Sequence, residues 1–171
     1  MDYAIHTQFS GAALYLRCPG SEVKNLSPDE KLEKVSGTRD LSDDQLVSMI
    51  SLLSLPNERF RHYDHVRLAW IFLRDAKVGP ATERMVVTLK RFGLHHRGDL
   101  SRYHDTLTRA FMHLVDAHIR MTPDIDNFDD FADHHPSLLD KQALLHYYSD
   151  ELLNGQRART EWVEPDLRAL P

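Results

Sequence analysis

The chain has 171 residues, of which 42% are hydrophobic and 27% charged, enough for one domain with a sizeable core and too few for two. Its formal net charge of −5 argues against a general nucleic-acid or anionic-membrane binder, because affinity for phosphates depends on clustered lysine and arginine. The single cysteine, Cys18, excludes an intramolecular disulfide and a cysteine-based zinc site.

The sequence motifs of several other common classes of protein are absent from this chain. No apolar run approaches the roughly 20 residues of a membrane span, and the run 11–16 is too short for the core of a signal peptide. The glycine-rich motifs of nucleotide-binding proteins and the nucleophile motif of the hydrolases are absent. A mild excess of basic residues over 84–102 is the only local departure from the acidic balance. We expect a soluble, cytoplasmic protein that binds neither nucleic acid nor membrane.

The N-terminal elements are predicted from helix-capping motifs. Residues 1–40 form an irregular segment with one short helix, which a capping box at Ser27 begins. A second capping box, formed by Ser42 and Gln45, predicts a helix that ends at about Ser54.

Three longer helices form the predicted centre of the fold: 59–77, 81–93 and 100–120. The connections between them, at Gly79-Pro80 and at 93–99, are short enough to favour antiparallel neighbours. An up, down, up arrangement places the starts of the first and third helices at the same end of the bundle. The sequence therefore predicts an all-α bundle.

The C-terminal part is predicted from its pattern of apolar residues. Leucine pairs between 138 and 153 bracket one or two further helices, and 161–171 is expected to be an extended tail laid over the bundle. The chain is thus predicted to be a single helical domain, with an irregular segment 1–40, a helical core 41–160 and the tail.

Three histidines occupy positions on the apolar stripes of these helices where leucine is usual. At about 100° per residue, His62 and His65 fall on the apolar face of the first long helix and His104 on that of the third. Side chains three residues apart on a helix have β-carbons about 5 to 6 Å apart, which lets two imidazoles share one ion. In the up, down, up bundle His104 lies at the same level. The sequence therefore predicts a metal site formed by these three histidines, with a position open for water or substrate.

Three polar residues adjoin these histidines in sequence. Tyr103 flanks the apolar stripe and is predicted to donate a hydrogen bond into the pocket. Asp64 and Asp105 fall outside the apolar stripes. Each is predicted either to hydrogen-bond to a metal-ligating histidine or to contact solvent. The helix dipole disfavours imidazolium near a helix N-terminus, which biases the three histidines toward their neutral form.

Two other groups of residues carry weaker predictions. The tandem histidines at 95–96 and 134–135 are predicted to be solvated turn residues. The acidic stretch 124–130 lacks the glycine and terminal glutamate of a calcium-binding loop, so we predict no calcium site there.

Several short motifs resemble those of a family of small uncharacterised bacterial proteins. They are Phe60-x-His62-x-x-His65 with Ala69-Trp70, then Tyr103-His104-Asp105-Thr106-Leu107-Thr108, Tyr147-Tyr148-Ser149, and Pro165-Asp166-Leu167 with Leu170-Pro171. The resemblance covers about two thirds of the chain, and the family usually has glutamate where Asp105 stands. It implies a bacterial origin and a helical fold, draws attention to the same three histidines, and implies no established activity.

The leading hypothesis from the sequence is a helical metalloprotein, a mononuclear non-haem iron, manganese or zinc enzyme acting on a small molecule. The alternative is a non-enzymatic interaction module whose buried histidines are structural, which an exposed apolar patch without a convergent polar pocket would favour. A metal-free histidine cluster that acts as a pH sensor or general base is the third hypothesis. Whether the protein is an enzyme stays open at this point.

Overall fold

The computed structural model describes residues 38–171, and within them every regular element is a helix, which confirms the predicted all-α fold. No helix in this part of the chain has the length and apolar character needed to cross a membrane. The helices are α1 (Asp43–Ser51), α2 (His62–Asp75), α3 (Val78–Arg97), α4 (Asp105–Met121), α5 (Phe128–His134), α6 (Asp150–Asn154) and α7 (Gln156–Thr160). Single 3-10 turns lie at Asn57–Arg59, Pro136–Leu139 and Ala143–His146. The short helix predicted after Ser27 lies outside the described residues.

The capping box predicted at the start of α1 is confirmed. Ser42 Oγ accepts a hydrogen bond from the Gln45 N–H at 3.2 Å, and Gln45 Oε1 accepts one from the Ser42 N–H at 2.9 Å. The helix ends at Ser51, slightly before the predicted end, and Leu53 then takes a positive φ of 58°. Because the left-handed conformation cannot continue a right-handed helix, the chain turns away there.

The helices α2, α3 and α4 each pack against the other two and form the centre of the fold. The Phe60 ring, just before α2, lies 4.9 Å from the Phe92 ring near the end of α3, centroid to centroid. The His62 ring at the start of α2 lies 5.1 Å from the Phe111 ring in the first half of α4. The starts of α2 and α4 and the end of α3 therefore meet at one end of the bundle, which confirms the up, down, up arrangement.

The boundaries of α3 differ from the prediction at both ends. Gly79 and Pro80 lie in its first turn rather than in a connection, because a proline there gives up no helical hydrogen bond. The helix also continues past residue 93 to Arg97, where Gly98 ends it with a positive φ of 75°, as a C-terminal glycine commonly does. The start of α4 moves as well, to Asp105 instead of residue 100.

The face of α2 that the sequence marks as polar is buried where residues 38–43 cover it. Asp64 has no exposed surface, and its carboxylate accepts hydrogen bonds from the Thr38 hydroxyl at 2.5 Å and the Arg61 N–H at 2.7 Å. Arg67 Nη1 donates to the Thr38 carbonyl at 3.0 Å. These two charged side chains attach the segment before α1 to the bundle, so their polarity serves a buried connection rather than solvent.

The predicted extended tail is confirmed, and it lies against the start of α4. Val163 is buried, its N–H donates to Thr106 Oγ1 at 3.1 Å, and its carbonyl accepts from the Tyr148 hydroxyl at 3.2 Å. The Thr106 hydroxyl in turn donates to the Glu161 carbonyl at 2.8 Å. The tail is therefore held by hydrogen bonds to buried side chains as well as by its apolar residues.

Candidate functional site

A cavity of about 610 Å³ opens between α2, α3 and α4, within the range of small-molecule sites in proteins. Its wall is formed by residues of α2, α3 and α4, by the segments 57–61 and 102–104 that precede α2 and α4, and by Lys141. Much of that wall is apolar. Its apolar members include Phe60, Val66, Met85, Leu89, Phe92 and Phe111.

Positive side chains gather where this cavity meets solvent. Among residues 38–171, the cationic lining residues are Arg61, Arg97, Arg102 and Lys141, and the only carboxylate in the lining is Glu58. Three of these cations, all but Arg97, are exposed. Within residues 38–171 none of the four forms an ion pair. An apolar wall therefore ends in a mouth whose cations lack an internal carboxylate partner.

His65 lines the cavity, and its imidazole has no hydrogen-bond partner in the described part of the chain. Its ring packs edge to face against Phe60, with centroids 4.2 Å apart. Burial, His62 and the positive charges of Arg97 and Lys141 lower the pKa of His65 to about 4. The imidazole is therefore neutral at pH 7, and its nitrogens are available to a molecule in the cavity.

His62 also lines the cavity, and one of its nitrogens is engaged in the fold. Its Nε2 lies 3.0 Å from the Leu138 carbonyl, which can only accept, so Nε2 carries the proton. Burial lowers the pKa of His62, which keeps the ring neutral and leaves a lone pair on Nδ1. Nδ1 has no partner within residues 38–171.

His104 lies at the N-cap of α4 rather than on the apolar stripe of a helix, and both its nitrogens are engaged. Nδ1 accepts a hydrogen bond from the Leu107 N–H at 3.2 Å, which requires the ring proton to be on Nε2. Nε2 accordingly donates to the Leu153 carbonyl at 2.8 Å. Burial lowers the pKa of His104, so the ring stays neutral. Coordination of a metal by His104 would require it to give up one of these two bonds.

The structure thus brings His62, His65 and His104 to one cavity, as the sequence predicts, without arranging them around one point. Within residues 38–171 no three side chains of histidine, cysteine, aspartate or glutamate are grouped closely enough to hold a metal ion. The three-histidine site stays a prediction, and His104 is the member whose surroundings fit it least.

The polar neighbours of these histidines have structural roles. Tyr103 lines the cavity, but its hydroxyl donates a hydrogen bond to Asp105 Oδ1 at 2.8 Å. Asp105 is buried and also accepts from Arg109 Nε at 2.7 Å. Burial alone would raise the pKa of Asp105, but the hydrogen bonds from Arg109 and Tyr103 bring it below its ordinary value. Asp64 lies with Thr38, as described above, and does not line the cavity.

Three of the four tandem histidines lie in helices rather than in turns as predicted, while His135 lies between α5 and the next 3-10 turn; His95 and His134 are exposed, as predicted. His95 and His96 occupy the last turn of α3, and the His96 ring packs against Phe92 with centroids 4.2 Å apart. His134 ends α5, and the His135 ring next to it lies 2.9 Å from the Thr122 hydroxyl through Nε2. For His95 and His96 the error follows from Gly93, which lies inside a helix here instead of ending it.

The acidic stretch 124–130 leads into α5. Asn127 caps that helix, its Oδ1 accepting from the Asp130 N–H at 2.9 Å, and Asp129 accepts a hydrogen bond from the Tyr63 hydroxyl at 2.5 Å. The absence of a calcium site there stays a prediction.

The cations of the cavity mouth are the residues that the sequence analysis missed. Arg97 and Arg102 belong to the stretch 84–102 with its mild excess of basic residues, but Arg61 and Lys141 belong to distant segments. Nothing in the sequence relates these four positions to one another, because only the packing of the helices brings them together.

Comparisons with models of known protein families, with curated proteins and with solved structures find no match to this chain. The resemblance to a bacterial family therefore stays a prediction.

We expect the substitution His104→Leu to lower the free energy of unfolding by about 2 to 3 kcal/mol, because α4 loses its cap and the Leu153 carbonyl loses its donor. Urea denaturation of chelator-treated protein measures this without any contribution from a metal. His104→Asn, which keeps a side chain able to cap the helix, should lose less. A His104→Leu protein as stable as the wild type under these conditions would contradict the structural role.

A second prediction concerns pH and follows from the buried neutral ring of His65. Unfolded His65 takes up a proton near pH 6.5, whereas the folded ring does so only near its pKa of about 4, so stability falls as the pH drops from 6.5 toward 4. Each such group contributes a slope of about 1.4 kcal/mol per pH unit within that window. His62 and His104, whose pKa values are also lowered, act in the same direction.

Urea denaturation at pH 7.5, 6 and 5 tests this contribution. His65→Gln should reduce the pH dependence of the free energy of unfolding by the contribution of about one proton. His146→Gln, at an exposed position outside the cavity, is the control. If His65→Gln keeps the pH dependence of the wild type, the ring is not held neutral by the fold.

Proposed function

We propose that this protein binds a small amphipathic organic anion in the cavity between α2, α3 and α4. The observation that carries the proposal is an apolar wall combined with four cations and one carboxylate among the described residues that line the cavity. The apolar body of such a ligand would pack among Phe60, Phe92 and Phe111 while its acidic group remained near the guanidinium and ammonium groups. Sites of this kind combine apolar surface with a few polar groups that fix the orientation of the ligand.

The charge distribution supports an anion over a cation or a neutral ligand. The chain as a whole has a formal net charge of −5, so the positive lining of the cavity is a local departure from the field of the protein. Clefts lined by one sign of charge raise the local concentration of the opposite ion. Because these cations have no carboxylate partner in residues 38–171, an incoming anion would not compete with a carboxylate of this part of the chain.

His65 adds a neutral polar group to this environment. Its imidazole can donate one hydrogen bond and accept another, and neither nitrogen is used by the described part of the protein. A ligand with a hydroxyl or carbonyl near its acidic group would find its partner there. This convergence of polar groups on a cavity favours a small-molecule ligand over the interaction-module hypothesis.

A divalent metal ion in the same cavity is the second candidate, and the free nitrogens of His62 and His65 favour it. The two imidazoles lie three residues apart at the start of α2, both are neutral, and iron, manganese and zinc all accept imidazole ligands. Against it, Arg97 and Lys141 lie close enough to lower the pKa of His65, and the same charges oppose a metal cation. We therefore rank the anion first.

The anion proposal predicts that organic acids bind more tightly than the corresponding alcohols. Isothermal titration calorimetry with 3-phenylpropanoate, octanoate and a panel of similar carboxylates should give binding at least about tenfold tighter than with the corresponding alcohols. The triple variant with glutamine at the exposed cations Arg61, Arg102 and Lys141 should weaken acid binding about tenfold, because it removes the charges of the mouth.

Arg91→Gln is the matched control, since Arg91 is exposed on α3, outside the cavity. Its acid binding should equal that of the wild type. If no acid of the panel binds, or if alcohols bind as tightly as acids, the proposal is wrong.

The metal proposal predicts bound iron, manganese or zinc in protein purified without a histidine tag. Elemental analysis should find near-stoichiometric metal in the wild type and little in the variant with glutamine at both His62 and His65. Because His104 is engaged by Leu107 and Leu153, His104→Asn should keep most of the metal. A wild type with no more metal than the double variant would rule this candidate out.

A further inference from the structure

We infer that Arg97 anchors the acidic group of the ligand, in a position that Gly93 makes available; this rests on the proposed function. Arg97 differs from the other cations of the cavity because it is half-buried rather than exposed. An exposed cation on a flexible side chain is screened by salt and loses entropy when it is fixed. A guanidinium already held in place loses less on binding and presents a planar set of donors to a carboxylate or phosphate.

Gly93 lies inside α3, where glycine is among the least favourable residues. Its backbone does not require glycine, because the only glycine with a positive φ in residues 38–171 is Gly98. A β-carbon at position 93 would lie 2.7 Å from Arg97 Nη2, whereas its next neighbours, at 3.6 Å, are ordinary contacts. The side chain that glycine accommodates here is therefore that of Arg97, one turn later on the same helix.

The other side of the same guanidinium is tied to the segment before α2. Arg97 Nη1 donates a hydrogen bond to Asn57 Oδ1 at 2.9 Å. Asn57 also lines the cavity. The guanidinium is thus placed from two directions, by close approach to the helix at Gly93 and by the amide of Asn57.

This well-placed guanidinium lacks an anionic partner. It forms no ion pair in the described part of the chain, and its Nε is shielded from solvent without a hydrogen-bond acceptor there. Buried donors without a partner are uncommon and costly in folded proteins. A ligand oxyanion in the cavity would supply the missing charge, and it would lie near His65, on which Arg97 already acts electrostatically.

The substitution Gly93→Ala tests the inference without removing any charge. Alanine favours the helix, and the atom it displaces is the far end of a flexible side chain, so the free protein should melt at or above the wild-type temperature. Its affinity for 3-phenylpropanoate should fall about tenfold, while its weak binding of 3-phenylpropanol stays unchanged. Arg97→Gln should lose at least as much acid affinity.

Gly79→Ala is the matched control, because Gly79 lies on the same helix with nothing within 4 Å of a β-carbon. It should keep the wild-type affinity for the acid. If the wild type binds the acid and Gly93→Ala and Arg97→Gln bind it equally well, the anchor is elsewhere while the proposed function stands. If the wild type binds no acid of the panel, both proposals fall.

Discussion

The cavity depends on one kind of interaction, a hydrogen bond from a neutral imidazole to a backbone carbonyl of the C-terminal segment. His104 donates to the Leu153 carbonyl while it caps α4, and His62 donates to the Leu138 carbonyl from the start of α2. An imidazole can do this because its two nitrogens take opposite hydrogen-bond roles in the neutral state. Leucine at the same positions would fill the volume but connect nothing. The starts of α2 and α4, and with them two walls of the cavity, are positioned in this way.

The charges of the protein fall into two groups with different consequences. Asp64, Arg67 and Asp105 are buried and fully used by hydrogen bonds within the fold, so removing a partner from any of them would leave an uncompensated group. The cations at the cavity have no carboxylate partner within residues 38–171, and Arg97 is held by the amide of Asn57 instead. Gly93 does not favour stability, because glycine is unfavourable inside a helix. At this position it leaves room for the Arg97 side chain. Stability given up at one place in this way is typical of functional sites.

The features that were predicted correctly are those that involve neighbours along the chain. The capping box of Ser42 and Gln45, the long helices and their up, down, up order follow from periodicity, short connections and local hydrogen bonds. The boundary errors arose where local preference was overruled. Gly93 looked like the end of a helix, and the stretch before Asp105 had enough helical periodicity to be joined to α4. In both cases packing between helices set the helix boundary, because the energy of that packing exceeds the helix propensity of a single residue.

The sequence by itself determined that this chain folds into amphipathic helices and that His62, His65 and His104 meet at one end of them, because both follow from spacing along the chain. Only the tertiary structure decided what each imidazole does there. It engages both nitrogens of His104, one of His62 and none of His65, a difference set by which carbonyls and N–H groups of distant segments come within reach. It also gathers four cations from separate segments around an apolar cavity. The position of a charge along the sequence does not show which residues lie near it in space, so the proposed binding of an anion could be inferred only from the packed helices.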